Sequence, residues 1–385
     1  MSAKLMNTYP AIEDLRKKGL GRIPKVARAY LEAGTDDEEA LQRNRDAYAR
    51  ITFVPRFLKG ELNFQLETSL LGQTYSAPFG IAPVGLTGLM WPRAEVFLAQ
   101  TAKAFNIPYG LSTSATQTPE TVGPYVGENG WFQLYTPREK DFAYDLLNRA
   151  RDTGFKTLVV TIDIPKPSRR QRTTRAGLQM PPKVTPGLIW EGMKHPAWAL
   201  ATIREGLPSL KTVGAYSEKK DMKSVGALVT SRMGGNLDWD YIKVIRDYWQ
   251  GPMLLKGIMH VEDAAQALDI GMDGIVVSNH GGRQFDAVPP TLEVLPGIVE
   301  EIDGRIPVVM DSGIRSGLDI IRALSLGADF VLLGRAFIYG ICALGQIGAM
   351  HVAQILIEEI KTNMAQLGIE RLEELRGLKP ADLVS

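Results

Sequence analysis

The sequence predicts a closed (β/α)8 barrel of the TIM type. Three observations carry the prediction: eight short β-rich runs between residues 79 and 333, helical patterns between them, and 38 glycines, many at the ends of the runs. Runs such as TLVVTI and GIVVS are almost continuously apolar, as parallel strands covered on both faces must be.

The expected strands are Phe79–Ala82, Tyr109–Leu111, Trp131–Leu134, Thr157–Ile162, Met253–Leu255, Gly274–Val277, Pro307–Met310 and Phe330–Leu333. Helical spacing recurs between them at Arg93–Phe105, Glu139–Asp152, Val261–Ile270 and Ser316–Leu326. An open doubly wound sheet is the alternative. It would carry fewer repeats and a glycine-rich dinucleotide turn, and no GxGxxG occurs in the chain. Two helices are expected before the barrel: Pro24–Ala33, stopped by Gly34, and Asp36–Ala49. The chain reads as one domain over 1–385, with an N-terminal cap at 1–75, a barrel at 76–366 and a lid-like insertion at about 171–238. That insertion is far too long for an ordinary βα connection, and part of it, MPPKVTPG, is rich in proline. Within it, Leu188–Leu207 presents Trp190, Met193, Trp198, Leu200 and Ile203. Two readings of this stretch stay open: a helix packed on the barrel or a neighbouring subunit, and contact with a membrane surface.

Composition removes several function classes. Formal charge is 44 − 43 = +1, so no global field recruits nucleic acid. The 45% hydrophobic and 23% charged residues are ordinary for a globular protein. The first twenty residues carry charges throughout and make no secretory signal, and no window of eighteen uninterrupted apolar residues occurs. A cytoplasmic protein is expected, or one peripheral on the inner face of the cell membrane. Cys342, the one cysteine, can form no internal disulfide. It lies in the apolar run Ala336–Leu344 and reads as a buried small hydrophobe.

In such a barrel, function collects at the C-terminal strand ends. Taken in order these deliver Pro83-Val84-Gly85, Ser112, Gln133 with Tyr135, Thr161 with Asp163, and Lys256. The last three strands deliver Ser278-Asn279-His280-Gly281-Gly282-Arg283, then Asp311-Ser312-Gly313 with Arg315, and finally Gly334-Arg335. Of the four histidines, His195 and His351 read as structural and His260 stays open. His280 directly follows an apolar strand and is flanked by glycines and an arginine. No HExxH motif or cysteine cluster accompanies them, which argues against zinc catalysis. The loops after the last two strands, DSGIRSG and GRAF, combine arginines with glycines and suit a phosphate.

With those segments in place, the chain resembles the FMN-dependent 2-hydroxy acid dehydrogenase and oxidase family, which includes glycolate oxidase, lactate oxidase, L-lactate dehydrogenase and (S)-mandelate dehydrogenase. The resemblance runs from about Ala11 to Lys361 and rests on FGIAPVG, LSTSAT, WFQLY, VVTIDIP, LLKGI, GIVVSNHGGRQFD, VVMDSGIRSG and LLGRAF. It implies FMN as cofactor and oxidation of an (S)-2-hydroxy acid to the 2-oxo acid. His280 would be the base, taking the hydroxyl proton as the hydride equivalent passes to flavin N5, and Asp163 would hold its imidazole. Arg283 and Arg170 would grip the substrate carboxylate, with Tyr30 and Tyr135 as hydrogen-bond donors. Lys256 would face flavin N1 and O2. Pro83, Val84, Gly85, Ser112, Gln133, Thr161 and Ser278 would frame the flavin ring. Asp311 would meet the ribityl chain, and Gly313, Arg315, Gly334 and Arg335 the phosphate.

Some departures from the patterns common in the family matter. Ser312 stands where glycine is common, and Pro165–Arg170 lacks the usual glycine before the arginine pair, with Arg170 favoured as the inward one. Gly85 and Ser114 are small where small-substrate oxidases carry alanine and a bulky aromatic, which implies a substrate larger than glycolate. The resemblance further implies a homotetramer. A quinone, a protein carrier or oxygen stays open as electron acceptor, with a lactate- or mandelate-type dehydrogenase favoured over an oxidase. Another phosphate-binding barrel enzyme would not account for SNHGGR together with Arg170.

Overall fold

The computed structural model describes residues 3–178, 186–217, 222–234 and 237–378. Among the described residues are ten strands: β1 (Thr68–Leu70), β2 (Gln73–Tyr75), β3 (Phe79–Ile81), β4 (Tyr109–Ser112), β5 (Gly130–Tyr135), β6 (Thr157–Thr161), β7 (Met253–Ile258), β8 (Gly274–Val277), β9 (Val308–Met310) and β10 (Phe330–Leu333). Strands β3 to β10 close into an all-parallel barrel in which β10 pairs with β3. The expected (β/α)8 barrel is therefore the fold, and its eight strands match the expected runs to within a few residues.

Strand pleating sorts the side chains. Inward positions of the lower barrel hold Trp131, Val159, Leu254, Val276, Val309 and Phe330, all almost completely buried against one another. The alternate positions face the surrounding helices, as Phe132, Leu158, Leu255 and Ile275 do. The hairpin β1–β2 seals the lower end with Leu70 and Tyr75, and the Trp131 indole N–H donates to Tyr75 Oη at 3.2 Å. Its turn residues, Leu71 and Gly72, have φ of 51° and 77°, the two left-handed positions of a type I′ turn. The hairpin was not expected, because leucine in such a turn hides the usual Asn-Gly signal.

Two further N-terminal helices, Ala3–Thr8 and Ile12–Arg22, were also not expected, and the second bears on the barrel. It packs closely on Arg335–Leu344. A Cβ on Gly19 would lie 2.8 Å from the Tyr339 carbonyl and 2.9 Å from Cys342 Cβ, so glycine permits the contact while weakening the helical signal. The same contact buries Cys342 completely. The two expected cap helices are Lys25–Glu32 and Glu39–Ala49.

The insertion after β6 carries helices over the C-terminal rim. The expected single amphipathic stretch at 188–207 is two helices, Pro186–Lys194 and Pro196–Glu205, parted at His195. Pro196 explains the break, since it supplies no N–H and suits the first turn of a new helix. Trp198 turns inward and donates to the Leu89 carbonyl at 3.0 Å, whereas Ile189, Trp190, Met193, Leu200 and Ile203 are exposed. Of the proline-rich run, residues 180–185 lie outside the described residues. No helix among the described residues is long and apolar enough to cross a membrane.

Candidate active site

A cavity of about 900 Å³ opens at the C-terminal rim, under the lid helices. Its wall includes Tyr30, Pro83, Val84, Gly85, Tyr135, Thr161, Arg170, Lys256, His280, Arg283, Asp311, Gly313, Arg315, Gly334 and Arg335. One sequence thus brings to one place residues that lie up to 305 positions apart. Ser112, Gln133, Ser278 and Asp163 stand just behind this wall, joined to it by hydrogen bonds.

Most of the floor is polar, because on or just past β4 to β9 the upper inward position carries Ser112, Gln133, Thr161, Lys256, Ser278 or Asp311, while Ala82 and Leu332 complete it at β3 and β10. Ser112 Oγ donates to Gln133 Oε1 at 2.8 Å, and Gln133 Nε2 donates to Thr161 Oγ1 at 2.9 Å. Lys256 Nζ donates to Ser278 Oγ at 2.8 Å and lies 3.2 Å from Asp311 Oδ2. Burial works against the Lys256 charge, but Asp311 and Asp163 outweigh it and raise the pKa above the ordinary lysine value, so Lys256 is a buried cation.

His280 is held on three sides. Its Nδ1 lies 2.9 and 3.1 Å from the two Asp163 oxygens, its backbone N–H donates to Ser278 Oγ at 3.1 Å, and Nε2 is 3.5 Å from Tyr135 Oη, at the outer limit for a hydrogen bond. Burial lowers the imidazole pKa below its ordinary value, and Lys256 adds to this against the opposing pull of Asp163. The ring is therefore neutral near pH 7. With Asp163 fixing the proton on Nδ1, Nε2 on the cavity side carries a free lone pair. Burial raises the Asp163 pKa, but His280 and Lys256 more than offset this, and it stays ionised. Gly257 makes the arrangement fit: it has φ of 114° at a bulge in β7, and a Cβ there would sit 2.7 Å from Asp163 Cβ.

His280, Gly281 and Gly282 have φ of 57°, 65° and 72°, a run of left-handed residues that the cap helix Glu39–Ala49 clamps. Asn44 and Asn279 exchange amide hydrogen bonds at 2.9 and 2.8 Å, and the Tyr48 hydroxyl donates to the Ser312 carbonyl at 2.9 Å. Asn44, Tyr48 and Gly257 were missed in the sequence, since each acts through a neighbour that only the fold supplies. The remaining histidines lie outside the cavity wall. His195 and His260 precede helices as N-caps, and His351 is buried with Nε2 2.8 Å from the Tyr9 carbonyl.

Cations dominate the rest of the wall. Arg283 donates to the carbonyls of Tyr30 and Ala33 at 3.0 and 2.9 Å and lies over the Tyr30 ring. Arg335 donates to the carbonyls of Leu31, Gly281 and Ala33. Burial, then Arg170 and Arg335, push the Arg283 pKa down to about 9, and burial with Arg315 pushes Arg335 to about 10. Both remain charged at neutral pH. Among the described residues none of Arg170, Arg283, Arg315 and Arg335 forms a salt bridge with a carboxylate. Such crowding of half-buried like charges suits anionic ligands. Arg170 is the cavity-lining member of its pair, while Arg169 is exposed and its carbonyl accepts from Asp36 N at 3.1 Å.

The wall fits FMN. Arg315, Arg335 and the N-terminus of helix Arg335–Leu344, capped by Gly334, offer donors for a phosphate. Gly313 has φ of 86°, and a Cβ there would lie 2.6 Å from the Asn44 carbonyl, so only glycine keeps that loop in place. Asp311 and Lys256 can meet the polar edge and chain of a flavin. A second group of cations, Arg170 and Arg283, is left for another anion.

Comparisons with known proteins agree. The family description "FMN-dependent dehydrogenase" matches residues 20–380. L-lactate dehydrogenases of Yersinia pestis (strain Pestoides F) and Yersinia pseudotuberculosis (serotype O:1b, strain IP 31758) are each 37% identical over 367 residues, covering 95% of this chain and 96% of theirs. Among solved structures, the monotopic membrane protein (S)-mandelate dehydrogenase superposes with a TM-score of 0.90 at 34% identity, covering 95% of this chain and 97% of its own. A mandelate oxidase does so with a TM-score of 0.82 at 31% identity, covering 97% and 98%. Barrel, cation-rich cavity and full-length similarity converge: the chain belongs to the FMN-dependent dehydrogenase family.

Proposed function

We propose that this protein oxidises an (S)-2-hydroxy acid of lactate or mandelate type to the 2-oxo acid, with His280 as the base. The observation that carries the reading is the neutral imidazole, tied to Asp163 through Nδ1 and presenting Nε2 to a cavity lined by Arg170 and Arg283. The two guanidiniums hold the substrate carboxylate, Tyr135 adds a hydroxyl beside it, and Tyr30, whose hydroxyl donates to the Gly85 carbonyl at 3.2 Å here, turns that donor to the substrate on binding. His280 Nε2 takes the hydroxyl proton, and Asp163 stabilises the resulting cation. FMN, when bound, supplies the two-electron acceptor for the hydrogen on the α-carbon. Lys256 places a buried positive charge against the cofactor, where electron uptake is favoured by a cation.

Gly85 and Ser114 leave room beside Tyr30. An added Cβ at Gly85 would lie 3.1 Å from Ser114 Cβ and 3.7 Å from Tyr30 Oη. Beyond them the cavity is lined by Met90, Ile164, Leu210, Val213 and Met233, which favours a substrate with a bulky apolar side chain. Anaerobic bleaching of the yellow enzyme by a panel of (S)- and (R)-2-hydroxy acids tests both points. The reading predicts bleaching by (S)-acids and a preference for bulkier ones over glycolate. No bleaching by any (S)-acid would contradict it.

Relatives include dehydrogenases and an oxidase, so oxygen is the second acceptor reading, and stopped-flow reoxidation in air separates it from transfer to a quinone or protein carrier. Peripheral association with the inner face of the cell membrane is part of the first reading. It is supported by Ile189, Trp190, Met193, Leu200 and Ile203, exposed on the lid helices, and by the monotopic mandelate dehydrogenase neighbour. Co-sedimentation with anionic lipid vesicles, lost in Ile203→Glu, checks this. Sedimentation of the FMN-loaded protein checks the homotetramer.

A further inference from the structure

Ser312 occupies a position that disfavours any side chain. Its φ is 82°, in the left-handed region where serine is strained and glycine is not. The residue is nonetheless buried, and its hydroxyl both donates and accepts a hydrogen bond. Oγ donates to Asp311 Oδ1 at 2.8 Å and accepts from the Gly281 N–H at 3.0 Å.

These two bonds close a ring. Asp311 Oδ2 meets Lys256 Nζ at 3.2 Å, Lys256 donates to Ser278 Oγ at 2.8 Å, and Ser278 Oγ accepts from the His280 N–H at 3.1 Å. The next peptide N–H, that of Gly281, returns to Ser312 Oγ. Consecutive N–H groups on either side of the His280 side chain are thus held by two serine hydroxyls on different strand ends. Asp311 and Lys256 span the gap between those serines. Gly281 and Gly282 impose no conformational preference of their own, so the loop carrying the imidazole depends on such outside bonds.

We infer that Ser312 is a positioning residue: its hydroxyl fixes the His280–Gly282 loop relative to the Lys256–Asp311 pair, so that base and buried cation keep one mutual geometry. The inference rests on the proposed role of His280 for its catalytic consequence, but the loop-fixing itself does not. Strain and hydroxyl make opposite contributions, and this separates positioning from bulk stability. Ser312→Gly removes both, whereas Ser312→Ala removes the hydroxyl and keeps the strain.

The test uses the FMN-loaded protein and both variants. Amide hydrogen exchange in the peptide spanning 279–283 is expected to accelerate about tenfold or more in both, with the other barrel strands unchanged, as for a local opening. Anaerobic bleaching by an (S)-2-hydroxy acid is expected to slow at least about fivefold at saturation, with half-saturation moving less than about twofold, the pattern of lost positioning rather than lost binding. Ser312→Gly should melt at or above the parental temperature and Ser312→Ala below it, so slowing in the glycine variant cannot come from unfolding. Unchanged exchange at 279–283 in both variants overturns the inference. Faster exchange with parental bleaching overturns its catalytic part. If the parent itself is not bleached by any hydroxy acid, the proposed function fails, and exchange alone still decides the role of Ser312.

Discussion

Two layers inside one barrel differ by a single step along the same strands. In the lower layer Trp131, Val159, Leu254, Val276 and Val309 fill the interior with apolar side chains. One inward position higher stand Gln133, Thr161, Lys256, Ser278 and Asp311, tied in two groups, Ser112–Gln133–Thr161 and Ser278–Lys256–Asp311. The lower layer is dry and stabilises by burial. The upper layer brings buried charge to the cavity and is tolerable only because its polar groups are partnered. Stability and chemistry are therefore separable by height within the barrel, and substitutions should sort the same way.

The largest expected effect is in the upper layer. His280→Ala should keep FMN bound and the melting temperature nearly unchanged, while the rate of anaerobic bleaching falls by about 10²–10⁴, the scale of a positioned base. Leu254→Ala should do the reverse. Denaturant unfolding should show a loss of about 2–5 kcal/mol, with the bleaching rate per bound FMN close to parental. A large loss of rate in that variant would show that the layers are not independent. Arg283→Lys keeps the charge but removes the planar guanidinium, whose Nη1 is anchored on the carbonyls of Tyr30 and Ala33 while the rest is left for a carboxylate. Its kcat/KM should fall by an amount equivalent to about 1.5–3 kcal/mol. The smallest effect is expected outside both layers. Ile203→Glu, on the exposed lid face, should change unfolding stability by no more than about 0.5 kcal/mol.

The comparison also explains what could be read from the sequence. Parallel strands buried on both faces write themselves as short apolar runs, so all eight barrel strands were legible, and the polar, charged or backbone-exposing residue ending each run pointed to the rim. His280, Asp163, Lys256 and Arg283 stood out because they interrupt such runs or follow them directly. Supporting residues left weaker traces. Gly257 sits inside LLKGI with nothing to announce that it makes room for Asp163. Asn44 lies in a cap helix 235 residues from its partner Asn279. Ser312 was visible as a departure from glycine, but its use required knowing that Gly281 lies beside it. The hairpin β1–β2 and helix Ile12–Arg22 were obscured by Leu71 in a tight turn and by Gly19 in a helix. Each of these is a local rule broken for a tertiary contact.

The central claim is that His280 is a buried neutral base, and the pH dependence of kcat/KM for flavin reduction tests it most directly, since this quantity reports groups of the free enzyme. Burial and Lys256 hold the imidazole below its ordinary value of 6.5, so protonation removes the base only in more acidic solution. The account predicts full activity at neutral pH, a fall through an acid limb centred below 6.5, and no such limb in the residual activity of His280→Ala. An unchanged acid limb in that variant would contradict it.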